Sequence, residues 1–337
     1  MSLTINTIGM RNFLVILFLL QFILSACSNQ NNVKNTTSLT IKTPEKKNLP
    51  KVVATTSVLC DFTKQIAANT VNITCLIPPD INPRRYQVEA SDRNAIAEAK
   101  LILYNGYNLE PAVLNLIKAS KNPAPKIAVG ERAVTKPKLI IQEGNKRLNN
   151  PYLWHNPKNA SLMVDIISNN LKRVAPENAK LYAGNGKRIK DEINKLDKWI
   201  KLRIASIPSS QRKLITNNLE IGYYTQAYGL KYETAFVNIS NYENFSSSRL
   251  KPLINNIRQS RVPAIFINNL VNSQLAKTVA KEADVRIAGR QLFGDNLGMP
   301  GSESDTYQKM MVANTRTIVE GLGGTYLIFE PISRSQK

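Results

Sequence analysis

The chain has 337 residues and a formal net charge of +21, from 45 lysines and arginines against 24 acids. That length accommodates two domains with a sizeable core. The basic residues are scattered, without dense runs or interleaved aromatic residues, which favours a solvated basic surface over nucleic-acid binding. A single histidine excludes a multi-histidine metal site within one chain.

The first 27 residues have the features of a secretion signal. Arg11 is followed by an apolar run over residues 13–20, which is too short for a membrane-spanning helix. Leu-Ser-Ala-Cys, ending at Cys27, resembles the lipobox of bacterial lipoproteins, whose cysteine becomes the lipidated first residue. Acyl chains on Cys27 would anchor the chain to a membrane. Ordinary signal cleavage, with Cys27 incidental, is the alternative.

The next segment, residues 28–50, is rich in Asn, Ser, Thr and Lys, so we expect a disordered tether. Strand, helix and strand are then predicted over residues 51–56, 58–68 and 71–77. Cys60 lies on this helix and Cys75 on the second strand. In an exported protein such a pair is a candidate disulfide, and a βαβ unit would make the pairing geometrically reasonable. Two buried free thiols are the alternative.

The first half continues with further alternating elements. Strands are predicted over residues 101–104 and 126–129, and helices over 91–99, 111–119 and 160–174, with Ser91 as the cap of the first. Residues 130–150 are predicted as a polar loop, and residues 151–157 as an extended segment. In an extended segment His155 would point away from Tyr152, which favours a histidine at the surface or in contact with the site only through another residue.

A long helix is predicted between the two halves of the chain. Its apolar residues recur every three or four positions, and lysines and acids fill the opposite face. Gly184 and Gly186 are expected to weaken its first turns, and Pro208 ends it. The apolar positions are Tyr182, Ile189, Ile193, Leu196, Ile200, Ile204 and Ile207. Such a helix would act as a rigid connection between two lobes, with a ligand cleft between them.

The second half repeats the alternation of strands and helices. Strands are predicted over residues 213–216, 232–237, 262–268 and 285–288, and helices over 219–228, 247–259, 273–283 and 305–322. The fold class is therefore α/β, with a parallel sheet flanked by helices in each lobe. In such sheets ligands bind beyond the carboxyl ends of the strands, so the loops there are the candidate site.

Several short motifs occur in these loops in a characteristic order. They are Val53-Ala54-Thr55-Thr56-Ser57, Asn82-Pro83-Arg84-Arg85-Tyr86, Leu103-Tyr104-Asn105-Gly106, Asn150-Pro151-Tyr152-Leu153-Trp154, Tyr223-Tyr224, Tyr228-Gly229-Leu230 and Asp305-Thr306-Tyr307. Over residues 50–330 the chain resembles the solute-binding lipoproteins of bacterial ABC importers for zinc and manganese (cluster A-I). The resemblance implies two lobes joined by one helix, a metal bound between them, an ABC permease as partner and a monomeric state.

The metal ligands that the resemblance implies are largely substituted here. Arg84 and Tyr152 stand where the family has histidines, and Asn218 stands where it has a histidine or glutamate. Only the acid of the last loop, Asp295, is retained. Arginine has no lone pair to donate, and a tyrosine would ligate only as a phenolate, whose ordinary pKa is near 10. These replacements disfavour a divalent cation.

Three interpretations of the altered cleft follow. Arg84 and Asp295 form an internal ion pair, or Arg84 and Arg85 bind an anionic or metal-chelate ligand with Tyr152. In the third, residual zinc or manganese binding uses Asp295, Tyr152 and His155. No nucleophile–base pair is visible, so we expect no catalysis and no resident cofactor.

The predicted protein is therefore an exported, lipid-anchored solute-binding component of a metal importer, with an altered cleft. A non-transporting paralogue that acts through protein interactions is the alternative. The predicted division is a signal peptide over residues 1–27, a tether over 28–50, lobes over 51–174 and 209–332, and a linking helix over 175–208.

Overall fold

The computed structural model describes residues 49–141, 147–216, 219–234, 247–266 and 273–330. Cys27, the greater part of the predicted tether, and Asn218 lie outside these residues. Within the described ranges, no helix combines the length and apolar character needed to cross a bilayer.

The first half of the chain forms a four-stranded parallel sheet. Its strands are β1 (Lys51–Ala54), β2 (Asn72–Cys75), β3 (Leu101–Tyr104) and β4 (Lys126–Ala128), in the order β2-β1-β3-β4. Its helices are α1 (Ser57–Ala67), α2 (Ala90–Glu98), α3 (Pro111–Ala119) and α4 (Val129–Ala133). β1 and β3 are buried and apolar, as expected for parallel strands covered on both faces.

The second half repeats this topology. Its strands are β7 (Lys213–Thr216), β8 (Lys231–Thr234), β9 (Ala264–Ile265) and β10 (Arg286–Ile287). β7 pairs with β8 and β9 with β10, all parallel, and a parallel bridge between Thr216 and Phe266 continues the pattern. Its helices are α7 (Gly222–Ala227), α8 (Ser247–Ser260), α9 (Ser273–Ala283) and α10 (Tyr307–Gly321). The predicted α/β class is confirmed.

The predicted long helix is α6 (Ala179–Ala205), which follows α5 (Pro157–Val174) after a short 3₁₀ turn. All seven of its predicted apolar positions are buried, the last lying just past its end. Burying one such side chain contributes roughly 1.5–3 kcal/mol, so the burial of this apolar face stabilises the helix against the rest of the fold. The helix is continuous through Gly184 and Gly186, and the predicted weakening of its first turns stays a prediction. A Cβ at Gly186 would stand only 3.3 Å from Ser168 Oγ of α5. The glycine therefore allows α5 and α6 to approach closely.

Three other local predictions are corrected by the structure. α2 begins at Ala90 and Glu89 is its cap, with the Glu89 N–H donating to Asp92 Oδ2 over 2.8 Å, so Ser91 is not the cap. The polar loop of residues 130–150 contains α4 and an antiparallel hairpin of β5 (Leu139–Ile141) and β6 (Arg147–Asn149). The segment of residues 151–157 is not extended, because residues 153–155 form a 3₁₀ turn.

The predicted disulfide between Cys60 and Cys75 is confirmed. α1 packs against β2, and the two Cα atoms lie 5.7 Å apart, well within the range for a disulfide. The bond closes the first βαβ unit.

Candidate functional site

A chain of hydrogen bonds joins three of the four predicted site positions. Arg84 Nε donates to the Tyr152 hydroxyl over 3.0 Å, and this hydroxyl donates to Asp295 Oδ1 over 3.0 Å. The Arg84 guanidinium carbon also lies over the Tyr152 ring, 5.6 Å from its centroid. These bonds connect Arg84 to Asp295 through the Tyr152 hydroxyl, whereas one interpretation of the sequence is a direct ion pair between them.

Arg84 is carried by a 3₁₀ turn after β2. Pro83 begins this turn, and Asn82 Oδ1 accepts from the Arg84 N–H over 2.9 Å. The turn points the half-buried Arg84 toward Tyr152, whereas its neighbour Arg85 is exposed. The two arginines therefore do not act together at the site.

Tyr152 is held in place by a buried polar network. Its N–H donates to Asn150 Oδ1 over 3.0 Å, and Asn105 Nδ2 donates to the carbonyl of Pro151 over 3.0 Å. The Asn105 N–H in turn donates to Glu110 Oε1 over 2.6 Å. Asn105 follows β3, so the carboxyl end of a core strand positions the tyrosine.

Asp295 lies in a loop between β10 and α10 that the first half of the chain holds. His155 Nε2 donates to the carbonyl of Gly294 over 2.8 Å, and Leu297 N–H donates to Ser57 Oγ over 2.9 Å. Asn296 Nδ2 donates to the carbonyl of Ile81 over 3.0 Å. Asp295 itself is buried. These three bonds set the position of its carboxylate opposite Tyr152.

The only histidine is buried, which excludes the surface alternative, and it meets the site through the backbone of the Asp295 loop, in line with the other predicted alternative. A carbonyl only accepts, so the bond to Gly294 assigns the proton to Nε2 of a neutral ring. Burial lowers the pKa of His155 to about 4, so the ring stays neutral at physiological pH. Its Nε2 is committed to Gly294, and through this bond the histidine positions the Asp295 loop.

Glu220 is the site residue that the sequence interpretation missed. It lies in the turn between β7 and α7, and its carboxyl group is within hydrogen-bonding reach of the Tyr152 side chain, which acts to lower the pKa of Glu220. The sequence contains a feature that could have identified it, because Glu220 is a glutamate just before the helix that carries Tyr223-Tyr224. Asn218, which is predicted from the sequence as the third ligand position, lies outside the described residues.

The site contains two buried carboxyl groups and one guanidinium. Burial raises the pKa of Glu220 well above its usual value, the nearby charge of Asp295 raises it further, and Arg84 opposes the rise. Burial also raises the pKa of Tyr152 well above 10, so the phenol stays protonated. For Arg84, burial acts to lower the pKa, and its partners Tyr152, Glu220 and Asp295 give a net rise. Arg84 therefore faces two acidic side chains, Glu220 and Asp295, and both favour its charged form.

The arrangement is poorly suited to a divalent cation. A neutral phenol is a weak metal ligand, and a guanidinium both lacks a lone pair and repels the ion. Across the described residues, no group of three or more His, Cys, Asp and Glu is placed to hold a metal ion. A cation could use both carboxylates only if Arg84 moved away, and the raised pKa of Glu220 opposes the ionisation that binding needs.

Comparison with known proteins identifies close similarity over most of the chain. The family model for "zinc-uptake complex component A periplasmic" (ZnuA) matches residues 52–321. The manganese ABC transporter substrate-binding lipoprotein PsaA of Streptococcus pneumoniae is 31% identical over 318 residues, covering 92% of this chain and 97% of that protein. The metal ABC transporter substrate-binding lipoprotein ScbA of Streptococcus cristatus is 30% identical, covering 92% and 98%.

Solved structures agree with this similarity. The periplasmic zinc-binding protein TroA from Treponema pallidum superposes with a TM-score of 0.73 at 27% identity, covering 81% of this chain and 99% of TroA. A manganese-bound periplasmic metal-binding protein from Candidatus Liberibacter asiaticus gives a TM-score of 0.70 at 26% identity, covering 80% and 98%. The structural similarity therefore covers about four fifths of this chain and nearly the whole of each solved protein.

Proposed function

Because the chain belongs to the family of zinc-uptake complex component A, we propose that it is the solute-binding component of a zinc- or manganese-type ABC importer whose cleft is occupied by its own Arg84. In this proposal the guanidinium takes the place of the metal cation between Asp295 and Glu220. The protein binds and does not catalyse.

The relatives named as lipoproteins support an exported, membrane-anchored protein with an ABC permease as its partner. In this proposal Cys27 carries the lipid, residues 1–27 are the signal peptide and residues 28–50 are the tether. The lobes span residues 51–174 and 209–332, with the linking helix over 175–208, and the protein is a monomer.

The hydrogen-bond chain from Arg84 through Tyr152 to Asp295 is the observation that carries this proposal. The chain crosses between the two halves of the molecule, where the resemblance implies a bound metal. Arg84 supplies one positive charge to the two acidic side chains, which is the role that a bound cation would otherwise have. A divalent ion would have to displace the guanidinium, and the nearby Arg84 charge would oppose its entry.

The geometry weighs against an anionic or chelated ligand. Arg84 faces two carboxyl groups and a phenol, so an anion would compete with charges already held in the cleft. Arg85 is exposed and stands apart from the cluster. Only Arg84 of the two arginines contacts Tyr152, so the structure provides no paired-arginine site for one anion.

Residual metal binding is the second candidate function, and the presence of Glu220 beside Asp295 favours it. Two carboxylates are hard oxygen ligands that suit manganese better than zinc. Metal entry on this route requires loss of the Glu220 proton, so binding would strengthen as the pH rises.

Metal-dependent stability tests the proposal. The chelator-stripped protein is unfolded by heat with zinc, with manganese and without metal, and we expect no shift of the midpoint. The matched variant is Arg84→His with Tyr152→His, which combines two imidazoles with Asp295 and Glu220 in a four-ligand set. At a metal concentration of a hundred times its Kd, this variant gains roughly 2.7 kcal/mol of stability.

Two outcomes contradict the proposal in different ways. A shift of the wild-type protein with manganese at raised pH establishes the second candidate, a carboxylate metal site. No gain in the double variant means that the cleft does not have the geometry of a four-ligand site. The non-transporting paralogue is supported if the wild type is unresponsive and no permease copurifies with it.

A further inference from the structure

An exposed apolar and aromatic surface lies where the C-terminal segment crosses α6, away from the cleft. Leu202 is 64% exposed, Leu327 is 56% exposed and Ile328 is 75% exposed, which makes them prominent among the described apolar side chains. Leu202 is three residues after Trp199 on α6, so the two side chains lie on the same face of the helix. We call Trp199, Leu202, Tyr326, Leu327, Ile328 and Phe329 the tail patch.

Hydrogen bonds and aromatic contacts hold the tail patch in place on α6. Trp199 Nε1 donates to the carbonyl of Leu327 over 3.2 Å, and the Trp199 ring lies 5.9 Å from the Tyr326 ring and 5.4 Å from the Phe329 ring, centroid to centroid. Arg203 Nη1 donates to the carbonyl of Thr325 over 3.1 Å. The aromatic rings thus fix the segment on α6 and leave the two aliphatic side chains pointing outward.

Cationic side chains border this surface. The Arg316 guanidinium lies over the Tyr326 ring, 5.1 Å from its centroid, and is paired with Glu320 over 2.8 Å, so among the described residues the unpaired cations of this border are on α6. Arg203 holds the neighbouring turn. Lys195 and Lys198 are exposed on α6 beside Trp199. A protein surface that rests on an anionic bilayer has three features. Aliphatic side chains enter the lipid, aromatic rings lie at the interface between lipid and water, and basic side chains surround them.

We propose that the tail patch docks on the surface of an anionic phospholipid membrane. Charge complementarity selects this occupant over a second copy of the chain. Two copies that each carry a net charge of +21 repel one another, whereas anionic lipid attracts the same surface. The docking is independent of what the cleft binds.

The segment between Cys27 and the first described residue has a length that is compatible with this docking. Residues 28–48 lie between the proposed lipid site at Cys27 and the first described residue, Leu49. Twenty-one residues span at most about 70 Å when fully extended. A protein tethered in this way stays within reach of the bilayer, so even a weak surface contact orients it.

The two tryptophans make the contact measurable without a label. Trp154 is fully buried, whereas Trp199 is partly exposed within the tail patch, so a change of emission on vesicle addition reports on Trp199. The chain from Ser28 to Lys337, made without its leader and therefore without lipid, is mixed with phosphatidylcholine vesicles with or without phosphatidylglycerol. We expect a blue shift, and cosedimentation, with the anionic vesicles, and weakening of both by added salt.

Matched substitutions test whether the tail patch carries the binding. Leu327→Ser with Ile328→Ser lowers the vesicle partition coefficient by at least about tenfold, since burial of the exposed parts of the two aliphatic side chains together contributes a tenfold change or more. The control is Leu162→Ser, which alters an apolar residue that is 47% exposed on α5 and leaves the charge unchanged. We expect the control to bind like the wild type.

Three results would overturn the proposal. The first is no partition of the wild type into anionic vesicles, and the second is equal loss in the Leu162 control. The third is a blue shift that grows with protein concentration without lipid, which would assign the tail patch to self-association. Each is read with the metal-free protein, so none depends on the proposed state of the cleft.

Discussion

Replacing Arg84 by methionine removes the positive charge that faces two buried carboxyl groups. Methionine keeps much of the aliphatic volume, but the Tyr152 hydroxyl loses its donor and Asp295 loses its nearby cation. Breaking a fully buried ion pair costs about 3–5 kcal/mol, and an exposed pair is worth about 0–1 kcal/mol. Because Arg84 is half-buried, we expect a loss of about 2 kcal/mol between these limits.

The pH dependence of that loss follows from Glu220. Burial and the charge of Asp295 raise the pKa of Glu220 in the folded protein. A carboxyl group with a raised folded pKa stabilises the folded state at acidic pH and loses that contribution as the pH rises through the folded value. Without Arg84 this pKa rises further. The deficit of the Arg84→Met variant should therefore be largest at neutral and higher pH, and it should shrink in acid, where both carboxyl groups are protonated.

Urea unfolding of the wild type and the variant, followed across this pH range, measures the difference in unfolding free energy. The matched control is Arg85→Met, which removes an exposed arginine next in the chain and should change stability by less than about 0.5 kcal/mol. If the Arg84 variant is no less stable than this control, or if its deficit does not change with pH, the guanidinium is not the counter-charge of the acid pair.

Two further predictions concern residues that support the site and the fold. The pKa of His155 falls from 6.5 to about 4 on folding, so the wild type loses about 3 kcal/mol of stability from this residue as the pH falls through that interval. His155→Gln keeps a donor for the carbonyl of Gly294 but does not titrate, so its urea midpoint should fall less steeply in acid; equal slopes would contradict the assignment of a buried neutral ring. Reduction of the Cys60–Cys75 bond, which links residues 15 apart, should cost about 3 kcal/mol of unfolding free energy. The double alanine variant should not respond to reductant, and a wild type equally indifferent would show that the thiols are not linked in solution.

Local periodicity in the sequence was sufficient to predict the framework. The apolar spacing on α6 matches the buried positions, because a helix of more than seven turns repeats its face whatever it packs against. The alternation of strands and helices likewise implied parallel sheets, and the Cys60–Cys75 pairing followed from the short βαβ unit that contains both residues. The substitutions at Arg84 and Tyr152 were also visible, because they are properties of single positions in recognisable motifs.

The cleft itself was decided by contacts between distant parts of the chain. The hydrogen bond between Tyr152 and Asp295 joins residues separated by 143 positions, and neither local spacing nor propensity specifies its geometry. A 3₁₀ turn at residues 153–155 buries His155 against Gly294, whereas an extended strand would point this histidine away from Tyr152. Glu220, two positions from the residue chosen by motif alignment, enters the cluster because the turn before α7 directs it there. Loop side chains take their direction from partners across the fold, and only the tertiary structure contains those partners.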